Sequence, residues 1–231
     1  MADPFETEGL PRRVTHLIFM VDTSSCMDDL KIESLNTTVR EALLKIGEKS
    51  RNYGDFQIKI AVMEFNDDAK WMYPQPIDAE NFKWQNIEFG CKASFGKALA
   101  QLNAKLSKLN GFMAESTGCR LPVIVLVSDG KFTDKYEADL ESLKSNLWFR
   151  CCAKFAITIN ADADKNALAK FTDSVELVGS VHDIDLFDLL GRLMMGGMLI
   201  DYAPKNSMVD WANGSGLFTN NAESDDWSGW K

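Results

Sequence analysis

The sequence predicts an α/β fold: a doubly wound, mostly parallel central sheet with one antiparallel edge strand and helices on both faces, a Rossmann-like arrangement. Three observations predict it. Two apolar runs about a hundred residues apart, His16-Leu-Ile-Phe-Met-Val-Asp22 and Pro122-Val-Ile-Val-Leu-Val-Ser-Asp129, each stop on an aspartate, as buried parallel strands do where they leave a sheet. Strand-like and helix-like segments alternate along most of the chain, with connections long enough for crossovers. A further strand-like run, Phe56 to Phe65, is joined through Asn66-Asp67-Asp68 to Ala69–Met72, which reads as an antiparallel hairpin at a sheet edge.

Each element has its own warrant. After the first strand, Leu35, Val39 and Leu43 recur at four-residue spacing with Ile32 and Ile46 near the same face, an amphipathic helix over about 31–49. Gly47 and the cluster Asn52-Tyr-Gly-Asp55 end it. Beyond the hairpin, Pro74 and Pro76 break regular structure, and a loop with Trp84 and Phe89 leads to Gly90 and Cys91. Leu99, Leu102, Leu106 and Leu109 place an apolar stripe on a second helix, about 94–110, and 110–121 form a surface loop. The strand 123–127 follows, then a helix over about 135–147, a strand across 152–159, a short helix 165–171, a brief strand 175–178 and a last helix 184–198. From Asp201 the residues change: Pro204, Gly214, Gly216 and Gly229 sit among Asn, Ser and Asp, punctuated by Trp211, Phe218, Trp227 and Trp230. The expected organisation is an extension over 1–14, one domain over 15–200, and an acidic tail with aromatic anchors over 201–231.

Composition narrows the function. The chain has 231 residues, 45% of them hydrophobic, and a net charge of −9; that charge argues against nucleic acid and anionic membrane as partners, since both select basic surface. The amino terminus lacks a basic region followed by an apolar core, so no signal peptide is expected. Five cysteines (Cys26, Cys91, Cys119, Cys151, Cys152) form neither a CxxC nor an even disulfide set, pointing to a reducing, cytoplasmic setting. The stretch from Leu186 to Ile200 is interrupted by Asp188 and Arg192 and is too short to span a bilayer.

In an open α/β sheet, ligands bind at the carboxyl ends of the strands, where Asp22, Ser24 and Asp129 converge. Hard oxygen donors gathered there suit a divalent cation such as Mg2+ or Mn2+. Asp22-Thr-Ser-Ser-Cys26 after a buried strand resembles the DxSxS signature of von Willebrand factor A (VWA) domains, and Ser128-Asp-Gly-Lys-Phe-Thr-Asp134 resembles their second acidic loop. Within the family the second motif looks most like the bacterial TerY-like proteins associated with tellurite resistance and stress. The resemblance covers about 15–198 and implies a metal-ion-dependent adhesion site, in which hydroxyls and aspartates hold an ion. Asp22, Ser24 and Asp129 match that site residue by residue. Cys26 stands where a serine is expected and Ala93 where a threonine is expected, so two hydroxyl oxygens are replaced and the site is degenerate. Ser94 offers a hydroxyl if its loop shifts by one residue.

The plainer reading is that Asp22, Ser24 and Asp129 cap the helices that follow them. Cys26 and Cys91 fall on loops of the same cleft and read first as small apolar fillers, with a soft-metal or redox role as the alternative. Neither His16 nor His182 has a partner at catalytic spacing.

Without a nucleophile beside a base, a phosphate loop or zinc-ligand spacing, the reading is a non-enzymatic protein-binding module. The resemblance implies protein partners in a stress-response assembly, including a kinase and phosphatase pair. If Cys26 and Ala93 disable the ion, recognition falls to loops around Asp67, Trp84 and Phe132, or to the tail tryptophans Trp227 and Trp230 in a metal-free scaffold. A magnesium-dependent phosphohydrolase is the enzymatic alternative, because an aspartate after a buried strand also serves as a nucleophile; there the second aspartate expected two residues on is Ser24.

Overall fold

In the computed structural model, β1 (Arg13–Asp22) and its neighbours form a seven-stranded sheet of order β3-β2-β1-β5-β6-β7, with β4 also paired to β2. The structure describes residues 13–24, 29–52, 56–87, 90–115, 118–158 and 162–180. The other described elements are α1 (Asp29–Asn52), β2 (Phe56–Phe65), β3 (Ala69–Trp71), β4 (Ile77–Asp78), α2 (Phe95–Lys105), β5 (Val123–Val127), α3 (Glu137–Ser145), α4 (Leu147–Cys151), β6 (Ala153–Thr158), α5 (Lys165–Thr172), a 3-10 turn at Val175–Leu177 and β7 (Val178–Ser180). The expected last helix over 184–198 and the tail over 201–231 lie outside the described residues.

The sheet is parallel at β1–β2, β1–β5, β5–β6 and β6–β7. Its central strands are buried on both faces, which is why they read as unbroken apolar runs. Pleat alternation sorts their side chains. Leu17, Phe19 and Val21 pack with Val39, Leu43 and Ile46 of α1. Ile18 and Met20 pack on the other face with Phe95, Leu99 and Leu102 of α2, Leu140 and Leu143 of α3, and Leu168 and Phe171 of α5. Each fully buried Leu- or Phe-sized side chain contributes about 1.5–3 kcal/mol.

The antiparallel edge comes in two pieces. β3 pairs with the end of β2 through Met63↔Trp71 and Phe65↔Ala69, and β4 with its start through Lys59↔Asp78 and Ile60↔Ile77. Pro74 and Pro76 do interrupt the edge, since proline cannot donate to a ladder, but pairing resumes immediately after them.

Four boundaries differ from expectation, the first being α1, which continues through Gly47 to Asn52. The helix expected over 135–147 is two helices, because Asn146 adopts an extended conformation (φ −70°, ψ 126°) and its side chain accepts from the Trp148 N–H to start α4. Helix α2 stops at Lys105 and not near Asn110: Leu106 leaves helical geometry, and the Lys105 carbonyl accepts from the Phe112 N–H across the following turn. The strand expected over 175–178 begins as the 3-10 turn and pairs only from Val178.

Candidate metal centre and its rim

Strand register builds the site. Val21 lies opposite Val127 in the β1–β5 ladder, so the next residues along, Asp22 and Ser128, emerge side by side at the carboxyl end of the sheet, on the face opposite to Val21 and Val127. Ser128 Oγ donates to Asp22 Oδ2 at 2.6 Å and accepts from the Gly130 N–H at 3.0 Å. Asp22 Oδ1 accepts from the Ser24 N–H and Asp129 Oδ1 from the Lys131 N–H, both at 3.0 Å. The two aspartates are therefore held by the same two-residue Asx turn. Among the described residues, neither aspartate accepts from an N–H of a following helix.

Those bonds leave two polar atoms over. Ser24 Oγ and Asp129 Oδ2 are buried, and among the described residues neither makes a hydrogen bond of good geometry, although the Ser24 hydroxyl lies close enough to the Asp22 carboxyl to favour its charged form. Burial pushes the Asp22 carboxyl above the ordinary carboxylate range and the Asp129 charge adds to the push, against the hydrogen bonds from Ser128 and Ser24. A hard divalent cation suits such a place: it satisfies the orphaned oxygens and offsets the cost of burying two like charges together. Asp22, Ser24 and Asp129 are the residues that could hold it. Among the described residues no group of three or more His, Cys, Asp and Glu side chains could hold a metal; the oxygens brought together here are those of two carboxylates and the Ser24 hydroxyl.

The rim is stitched together by long-range bonds. Asn66 Nδ2 donates to Thr23 Oγ1 at 3.0 Å, and the Gly90 N–H donates to the Thr23 carbonyl. Ser94 Oγ donates to the Asp67 carbonyl at 3.3 Å, so this hydroxyl is turned toward the β2–β3 turn. Asp67 Oδ2 in turn accepts from the Cys91 N–H at 3.1 Å. Ala93 is tied to the second acidic loop twice: its N–H donates to Thr133 Oγ1 and its carbonyl accepts from the Thr133 N–H, each at 3.1 Å. Asp134 then caps α2, accepting from the Phe95 N–H at 3.1 Å and the Gly96 N–H at 2.8 Å. Gly96 permits that approach, since a Cβ there would lie 3.0 Å from Asp134 Oδ2 and 2.7 Å from Asp139 Oδ2.

Phe132 is half-buried in an aromatic cluster, stacked on Phe95 with centroids 3.9 Å apart and edge-on to Tyr136 at 5.0 Å. Trp84 packs against the α1-side core and donates its indole N–H to Asn36 Oδ1 at 2.8 Å. Phe132 thus packs the loop that carries Asp129, whereas the contacts of Trp84 among the described residues are with α1 and the core beneath it. Cys91 is exposed, while Cys26, Trp227 and Trp230 lie outside the described residues. Sequence reasoning missed Ser128, Thr133 and Asp134 as organisers of the site. The signal was present, because all three sit in the quoted 128–134 motif, but their partners are distant in sequence.

No family profile and no curated protein sequence matches this chain. Solved structures match in fold. They include the ArnB paralog VWA2 from Sulfolobus acidocaldarius, with TM-score 0.53, 20% identity, 78% of this chain and 44% of that one covered. Proximal thread matrix protein 1 from the mussel byssus has TM-score 0.53 and 16% identity, with 87% and 48% covered. A von Willebrand factor type A protein from Catenulispora acidiphila has TM-score 0.53 and 15% identity, with 88% and 42% covered. The fold is therefore that of VWA domains, and the chain spans less than half the length of these neighbours. The mussel protein has also been solved with its metal-ion-dependent adhesion motif occupied by zinc, a match with TM-score 0.50 and 16% identity. Among the described residues no helix is long and apolar enough to cross a membrane.

Proposed function

We propose that this chain is a non-enzymatic protein-binding module that holds a divalent cation, Mg2+ or Mn2+, between Asp22, Ser24 and Asp129. The observation that carries the reading is the pair of buried oxygens, Asp129 Oδ2 and Ser24 Oγ, that make no well-formed hydrogen bond among the described residues, beside a carboxylate whose burial is costly. A bound cation would supply a Lewis-acidic contact for an acidic side chain of the partner. The chain's own residues do the positioning: Ser128 orients Asp22, the Asx turns aim both carboxylates, and Asp67, Trp84 and Phe132 border the approach. The phosphohydrolase alternative is weaker, because the residue two after Asp22 is Ser24, which cannot serve as the second carboxylate. A stress-response assembly with a kinase and phosphatase pair, and a cytoplasmic setting, are supported by the sequence resemblance and cysteine usage alone.

A second reading, a metal-free scaffold, is favoured by one observation: Ala93 brings a methyl group where the resembled site has a hydroxyl, and the Ser94 hydroxyl is turned to Asp67. Isothermal titration with Mg2+, Mn2+ and Zn2+, with Asp22→Ala as control, separates the two. Saturable binding lost in the variant supports the cation site. Silence in both proteins overturns it and leaves the scaffold.

A further inference from the structure

At the opposite end of the strands from the aspartates lies a surface of different character. Helix α2 starts at the cleft and runs back along the sheet, so Lys105 and the turn after it lie by the amino ends of the strands, where α4 also sits just before β6. Asn146 joins the two segments, donating to Asn103 Oδ1 at 2.9 Å and to the Leu106 carbonyl at 3.1 Å. Leu109 is 90% exposed and Leu147 68% exposed, and Lys108 Nζ lies 5.6 Å from the ring centroid of half-buried Trp148. Two exposed leucines beside a tryptophan make an apolar patch that a soluble surface rarely leaves without use.

The charge around it is one-sided. Residues 93–113 and 142–161 contain no Asp or Glu, yet they carry Lys97, Lys105, Lys108, Lys144, Arg150 and Lys154 in a chain of net charge −9. Lys144 and Lys154 both pair with Asp173, and Lys97 belongs to the cleft end beside Asp68. None of the ion pairs among the described residues uses Lys105, Lys108 or Arg150.

The matching chemistry is in the chain itself. Glu223-Ser-Asp225-Asp226-Trp227-Ser-Gly-Trp230 combines three carboxylates with two tryptophans. We infer that this segment docks in cis on the surface formed by Lys105, Lys108, Leu109, Leu147, Trp148 and Arg150. The tryptophans cover the leucines, and the carboxylates meet the three cations. At about 3.3 Å per extended residue, the chain between Ser180 and Glu223 reaches any point on the domain. The docking leaves the aspartate cleft untouched and is independent of whether a cation binds there.

The test uses the full chain with the photo-crosslinker p-benzoylphenylalanine in place of Trp227, in a mixture of isotopically light and heavy protein. The expected result is adducts within single chains that map to 105–112 or 146–151. In a Lys105→Glu/Lys108→Glu/Arg150→Glu variant their yield falls roughly fivefold or more, as loss of opposed charges at a partly desolvated contact implies, with the far-ultraviolet circular dichroism unchanged. Adducts elsewhere on the domain, adducts joining light to heavy chains, or a yield unaffected by charge reversal would each overturn the inference.

Discussion

Ser128 Oγ and Asp22 Oδ2, 106 residues apart in sequence, meet at 2.6 Å in the buried end of the sheet. The bond is available because β1 and β5 pair in a register that sets Val21 against Val127, and it fixes one oxygen of the carboxylate while the Asx turn fixes the other. Ser128→Ala leaves Asp22 Oδ2 buried without a donor, which costs about 1–3 kcal/mol. Chemical denaturation should show a lower midpoint with an unchanged denaturant slope. Ser128→Thr, which keeps the hydroxyl, should recover part of the loss, and a variant indistinguishable from the parent would show the bond to be unimportant.

Asp134 is the cap of α2, donated from a loop nearly forty residues away. Asp134→Ala should destabilise the protein by about 1–2 kcal/mol. Hydrogen exchange at the Phe95 and Gly96 amides should accelerate more than exchange in α3, whose first turn makes no use of Asp134. Equal acceleration in both helices would point to global loosening and not to a lost cap.

Gly130 has φ +77°, and a Cβ built there would lie 2.5 Å from the Asp164 carbonyl oxygen. The same segment returns a bond, since the Asp164 N–H donates to the Asp129 carbonyl at 2.7 Å. Gly130→Ala combines left-handed backbone strain with a clash against main chain, so a loss of about 2 kcal/mol or more is expected. Thermal unfolding measures it. Because the displaced loop carries Asp129, cation affinity should fall in the same variant if the site binds one.

His16 is fully buried, with Glu115 Oε1 3.8 Å from Nε2 and Lys59 bonded to the same carboxylate at 2.6 Å. Desolvation lowers its pKa from 6.5 to about 4, with Glu115 pulling up and Lys59 pushing down. The unfolded chain therefore takes a proton that the folded chain refuses, and stability drains away as pH falls from 6.5 to about 4. The full effect is about 3 kcal/mol. Urea unfolding at pH 7 and at pH 4.5 should reveal most of that difference in the parent, and His16→Gln should flatten it. An equally steep acid limb in the variant would assign the loss to other groups.

The fold was legible in the sequence because buried parallel strands carry their signal in consecutive residues: the apolar runs Leu17–Val21 and Val123–Val127 need no partner to be recognised. Asp22, Ser24 and Asp129 were legible for a related reason, since a polar residue directly after such a run marks a strand end. What escaped depended on partners elsewhere. The break at Asn146 is stabilised by Asn103 and the Leu106 carbonyl across the α2–α4 contact. The early stop of α2 is held by a bond from Phe112. β4 has only two residues and no pattern of its own, so it is visible only against β2.

By itself, then, the sequence determined the alternation of the main strands and helices up to β7, which face of each is apolar, and that two aspartates leave the sheet at one end. Those are local properties, set by side-chain hydrophobicity and the period of the backbone. The tertiary structure decided which oxygens those aspartates keep free. Register put Ser128 against Asp22, loop stitching turned the Ser94 hydroxyl to Asp67, and close packing buried Ser24 Oγ and Asp129 Oδ2 with no well-formed hydrogen bond among the described residues. Hydrogen bonding is short-ranged and directional, so a shift of one residue between two strands would have made a different site from the same motifs.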